Sequence, residues 1–130
     1  MKKVEFNMKK EAGFTTNLPY GELHIAGDEE YGFRPYQLMV SSIAVCSGGV
    51  LRKILEKKRI AFSDLRIQAD VTRNDEKAGR IEKIHLHYII TGEDLPLDKI
   101  EKSIELARKN CSMLQSVIDS IEVTETFEIK

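Results

Sequence analysis

The sequence carries no excess of either charge. Lys and Arg number 20 against 21 Asp and Glu, a net charge of −1. Nothing in that balance points to nucleic acid or an anionic membrane as a partner. No block of like charges resembles an interaction tail. The basic start, Met1-Lys2-Lys3, is followed by no apolar segment of the kind a signal peptide needs. No stretch is expected to reach the apolar length of a membrane span, so the expected location is cytoplasmic. Cysteine is scarce, with two in 130 residues. In a reducing compartment, two cysteines read as free thiols or a redox pair before they read as a structural staple. Internal repeats, low-complexity runs and linkers are also missing, so residues 1–130 are expected to form one domain with a real core.

Several chemistries lack a cue. The stretch Gly48-Gly49-Val50-Leu51-Arg52-Lys53 follows no strand and has neither the remaining glycine nor the Lys-Ser/Thr spacing of a phosphate loop. Ser–His–acid catalysis has no signature. His85 and His87 share one strand face, and with His24 a three-histidine metal site is imaginable. They are read instead as solvent-facing, and no metal or cofactor is expected. Phe14, Tyr20, Tyr31 and Phe33 either rim an apolar pocket or pack.

The residues that are present order into strands and helices. Val4, Phe6 and Met8 alternate with polar residues, as do Leu23 and Ile25 after a turn at Pro19. Pro35 suits a first helical position. From Tyr36 to about Lys58, the residues Met39, Ile43, Cys46, Val50 and Ile54 fall in a helical stripe. A hairpin follows, with Leu65, Ile67, Ala69 and Val71 on one strand and Ile84, Leu86, Tyr88 and Ile90 on the other. A helix from Leu97 to about Lys109 is anchored by Ile100, Ile104 and Leu106. A last helix begins near Asn110, and Ile121 to Lys130 alternates as a closing strand. The predicted class is α+β, with helices on antiparallel sheet.

Both cysteines sit where chemistry is conceivable. Cys46 is mid-helix, followed at once by Ser47, Gly48 and Gly49. Two glycines inside a helix cost about 2 kcal/mol relative to alanines. Ser42 and Gly49, one turn from the sulfur, are small. Either a second backbone packs closely there or a cavity is left for a ligand. A buried packing cysteine is the competing reading. Asn110 is a good N-cap and would place Cys111 in a first helical turn, where backbone N–H groups favour a thiolate. A tucked-in packing residue is the alternative. A disulfide between the two needs Cα atoms within about 7 Å.

The run from Phe33 to Ile60, then the hairpin, then Ala107-Arg108-Lys109-Asn110-Cys111-Ser112 and a closing strand, resembles the OsmC/Ohr superfamily. Pro35, Leu38, Cys46, Cys111 and Ser112 fall on its pattern. The resemblance implies an OsmC-like fold: antiparallel sheets with a long central helix, in an intertwined homodimer. The dimer would explain Ser41, Ser42, Ala44, Ser47, Gly48 and Gly49 as a close helix–helix contact. The resemblance also implies reduction of organic hydroperoxides or hydrogen peroxide, with Cys46 peroxidatic, Cys111 resolving and an external dithiol as reductant. The family's peroxidases hold the thiolate with an N-terminal arginine and a glutamate ahead of the first cysteine. Here no arginine precedes Arg34, and Tyr36-Gln37 stands where the glutamate is expected. Arg34, Gln37 and Arg108 are the candidate supporting residues. A redox sensor or a binder of small apolar ligands on the same scaffold is the second reading.

Overall fold

The computed structural model describes residues 3–130. The chain divides into two compact units, Met1–Met39 and Val40–Lys130.

The first unit holds an antiparallel sheet in the order β1 (Asn7–Met8), β2 (Phe14–Asn17), β3 (Glu22–Ile25). Leu18 and Gly21 exchange two 3.0 Å backbone hydrogen bonds around Pro19 and close the β2–β3 hairpin. Gly13 sits at φ +78°, and a Cβ there would collide with the Ile25 carbonyl, so only glycine serves. The expected half-buried strand over Val4, Phe6 and Met8 is not formed. Only Asn7 and Met8 pair with β2, and Phe6 and Met8 are 54% and 80% exposed. Alternation marks a face that can be covered; within one chain, little covers this one.

The helix α1 (Pro35–Lys57) begins with proline as expected. The Gln37 side chain accepts from the Arg34 N–H at 3.4 Å, reaching back from the third position as a capping residue does. By length and composition α1 could cross a membrane, contrary to the sequence expectation, because Val, Ile, Leu, Ala and Cys outweigh its serines and glycines. Its buried row instead joins the chain's own core. That row is Ile43, Ala44, Ser47, Gly48, Leu51 and Leu55, displaced from the predicted stripe. Met39 is exposed, and Cys46, Val50 and Ile54 are half-buried. Counting apolar types alone missed Ser47 and Gly48, which lie deep because they are small.

The second unit continues with β4 (Asp64–Asn74), a 3-10 turn at Asp75–Lys77, and β5 (Arg80–Thr91). Then come α2 (Leu97–Asn110), α3 (Ser112–Val117) and β6 (Glu122–Ile129). The sheet order is β4-β5-β6. The β4–β5 hairpin is antiparallel from Asp64↔Thr91 to Asn74↔Arg80. The β5–β6 pair is parallel, so this sheet is mixed where antiparallel sheet was expected. The reason is topological: α2 and α3 carry the chain back across the sheet, and such a crossover brings the next strand in parallel.

Strand β5 lies in the middle. Its residues Ile84, Leu86, Tyr88 and Ile90 are fully buried with Leu51, Leu55, Ile100, Ala107 and Leu114. Burying each Leu or Ile side chain contributes roughly 2 kcal/mol. On α2 the buried positions are Ile100, Ser103, Ile104 and Ala107, whereas Leu106, expected as an anchor, is exposed. Lys58 donates to the buried Ser103 hydroxyl at 2.8 Å and ties the end of α1 to α2.

Candidate active site

Two elements of the second unit bring the cysteines together. Cys46 comes from the middle of α1, and Cys111 from the joint between α2 and α3. Asn110 is the last residue of α2, and its side chain donates back to the Leu106 carbonyl at 2.9 Å. The N-cap of α3 is therefore Cys111, not Asn110. Its sulfur accepts from the Leu114 N–H at 3.4 Å, the contact a serine oxygen makes at that position.

The same residue type meets opposite surroundings. Cys111 is fully buried, and burial pushes its thiol above the ordinary range. The Ser47 hydroxyl, donating at 3.1 Å, and the Leu114 N–H pull back only in part. Cys46 is half-exposed, and its thiol is held below the ordinary range. The backbone N–H of Met113 is the main cause, opposed by partial burial. The Cys111 thiol and the hydroxyl and N–H of Ser112 add to the lowering; Ser112 Oγ lies 3.8 Å from Cys46 Sγ. Sequence reasoning gave the helix N-terminus to Cys111. The fold shares it: the Leu114 N–H serves the Cys111 sulfur, and the N–H groups of Met113 and Ser112 lower the thiol of another helix.

Among the described residues, hydrogen bonds and burial dominate each thiol's pKa, not a guanidinium. Arg108 donates to the Val123 carbonyl at 2.8 Å and to Glu125 at 3.3 Å. It therefore holds a carboxylate, not the thiolate for which it was a candidate. Arg34 and Gln37 lie in the first unit. Gln37 caps α1, and the Arg34 guanidinium stacks 4.9 Å from the Tyr36 ring. The Nε of Arg34 is buried with no hydrogen-bond partner among the described residues.

Behind the thiols lies a buried polar row that sequence reasoning did not single out. The hydroxyl of Ser47 serves Cys111, and Tyr88 donates to Glu125 at 2.6 Å. Burial and the neighbouring Glu125 carboxylate push the Tyr88 phenol far above its ordinary range. One signal was available: in β6, Glu125 shares its strand face with the buried Val123, a row where a carboxylate is out of place.

The histidines take another role. The His85 ring lies 2.6 and 2.9 Å from the hydroxyls of Thr124 and Thr126. His87 pairs with Thr126 and Glu128 at 2.7 and 3.0 Å. No group of three or more potential metal-ligating side chains stands together among the described residues. Phe14, Tyr20 and Phe33 are exposed, not packed around a cavity.

Comparison with known proteins gives this arrangement a context. Residues 27–126 match the family described as OsmC-like protein. Protein YhfA of Escherichia coli strain K12 is 26% identical over 96 residues, covering 73% of this chain and 72% of its own. A hypothetical protein from Aquifex aeolicus has a solved structure with a TM-score of 0.89, 28% identity, and coverage of 100% and 96% of the two chains. A Legionella pneumophila organic hydroperoxide resistance protein OsmC, 17% identical, covers 98% of both chains at a TM-score of 0.73 and shares the fold. With the match running across most of its length, the chain belongs to the OsmC-like family within the OsmC/Ohr superfamily.

Proposed function

We propose that this protein is a thiol peroxidase for small organic hydroperoxides or hydrogen peroxide, serving oxidative-stress defence in the cytoplasm. Family membership and relatives named for organic hydroperoxide resistance support the redox and stress role. One observation carries the specific reading: adjacent thiols with opposed acidities, a half-exposed Cys46 shifted toward thiolate and a buried Cys111 kept as thiol. A thiolate is the nucleophile, and a protonated neighbour waits for the second step.

The Cys46 thiolate attacks the O–O bond, and the hydroperoxide leaves as alkoxide and takes a proton to become alcohol. Cys46 is left as sulfenic acid. The Cys111 sulfur displaces hydroxide from it and gives up its own proton, forming the disulfide; the hydroxide takes a proton from solvent and leaves as water. An external dithiol then restores both thiols and is itself oxidised. In a homodimer, α1 would present Ser42, Val45, Gly49 and Arg52 to a second copy.

Cumene hydroperoxide consumption with an excess of dithiol tests this. Native protein should turn over. Cys46→Ser should consume nothing, and Cys111→Ala, oxidised before dithiol is added, should hold Cys46 as sulfenic acid with no disulfide formed. Consumption unchanged in Cys46→Ser would overturn the reading. The missing guanidinium at the thiols favours the second reading, a redox sensor or apolar-ligand binder. That reading requires slow, stoichiometric oxidation without turnover.

A further inference from the structure

Ser47, Tyr88 and Cys111 are fully buried polar groups in one row, and the row ends on a carboxylate. The Glu125 side chain is only 7% exposed, yet it lines an open groove with Ile104, Glu105, Arg108 and Phe127. Apolar residues of the same size would fill such a core without desolvating anything. The contacts run in order. Ser47 Oγ lies 3.1 Å from Cys111 Sγ, and the Ser47 hydroxyl acts to lower the pKa of the Tyr88 phenol against the burial that raises it. The phenol donates to Glu125 Oε2 at 2.6 Å, and Arg108 holds the other carboxylate oxygen at 3.3 Å.

We propose that Ser47, Tyr88 and Glu125 form a proton relay that takes the proton from Cys111 as its sulfur attacks Cys46, and returns one when the disulfide is reduced. The inference rests on reading Cys46 and Cys111 as disulfide partners, and it supplies what that reading leaves open. Displacement at sulfur is in-line, so the group leaving Cys46 departs on the side away from Cys111. The Cys111 proton cannot follow it directly, and a fully buried thiol has no water to take it. In the resting arrangement Ser47 donates to the Cys111 sulfur. When the Ser47 hydroxyl turns to the phenol oxygen, the thiol can donate to Ser47, and the chain of hydrogen bonds runs one way to the carboxylate. Each group passes one proton on and receives one, so Tyr88 never ionises. Glu125 ends protonated and releases the proton to the groove. Ser47 touches the reacting sulfur; Tyr88 and Glu125 are positioning residues that act through it.

The test needs no peroxide, so its failure is separable from failure of the peroxidase reading. Reduced protein is mixed with dithiobis(nitrobenzoate). The first nitrothiobenzoate released reports modification of the accessible Cys46. The second reports attack of Cys111 on that mixed disulfide, forming the Cys46–Cys111 bond and freeing one thiolate and one proton. In Tyr88→Phe and Glu125→Gln the first release should be unchanged. The second should slow by about a hundredfold, the size of a general-base contribution. In native protein the second release should also slow in D2O, and that isotope effect should be lost in both variants. Using two variants guards against one of them failing to fold. A second release as fast as native in both variants overturns the relay. So does a slowed release that keeps the native isotope effect, since that marks a merely structural role, or a native protein giving no second release.

Discussion

Cys46 and Cys111 show how a single residue type is divided into two chemical species by its neighbours. The Met113 N–H lowers one thiol, and burial raises the other. The sign of the consequence is direct. A lowered pKa means that the thiolate, the form that alkylates, is present at lower pH than in an ordinary cysteine, which titrates near roughly 8.5. Iodoacetamide should therefore label Cys46 with a pH midpoint below the ordinary value. Cys111 should stay unlabelled in native protein and react only on unfolding. Peptide mapping by mass spectrometry reads both. Equal labelling of the two sites would contradict the assignment. None of this acidity was legible at the residue itself, since the deciding N–H lies 67 positions along the chain from Cys46.

At the scale of the element, α1 answers why a helix keeps adjacent glycines. Gly48 faces β4: a Cβ there would overlap the Ile67 Cδ1 atom, the far end of that side chain. Gly49 meets nothing within 4 Å in the same chain. Gly48→Ala gains helix propensity of about 1 kcal/mol but forces Ile67 aside, and overpacking costs about 1–3 kcal/mol. The expected net effect is a modest loss of stability. Ile67→Val deletes the clashing atom, so the double variant should be more stable than the two single losses would sum to. Urea unfolding of the four proteins measures that coupling; additive losses would mean the helix and strand are not in the close approach described. The helix was legible in sequence from Pro35 and its period. Its buried row was not, because Ser47 and Gly48 lie deep through size and not through hydrophobicity.

At the scale of the whole molecule, much apolar surface is left open. Val45 is 68% exposed on α1, and Phe6, Met8, Phe14 and Phe33 are exposed in the first unit. Larger apolar patches are where proteins bind partners, and the homodimer proposed above would cover the one on α1. In the proposed homodimer, Val45 belongs to the contact of α1 with its copy. Val45→Glu would put a charge in that contact. It should shift the protein from dimer to monomer in sedimentation equilibrium while the circular dichroism of the fold is retained. A native protein already monomeric at micromolar concentration would remove the dimer from the proposal.

The order of strands and helices, the start of α1 and the β4–β5 hairpin were determined by the sequence alone. They rest on local signals: a period of two or 3.6, a proline, a polar turn. The likeness of a long stretch of chain singled out the two cysteines, but only the structure brought them near each other. Only the tertiary structure decided which thiol is acidic, what Arg108 holds, why Glu125 sits on a core-facing row and that β6 joins β5 in parallel. Each of these depends on groups far apart in the chain. Hydrogen bonds and desolvation act over a few ångströms of space, and separation along the sequence does not record that distance.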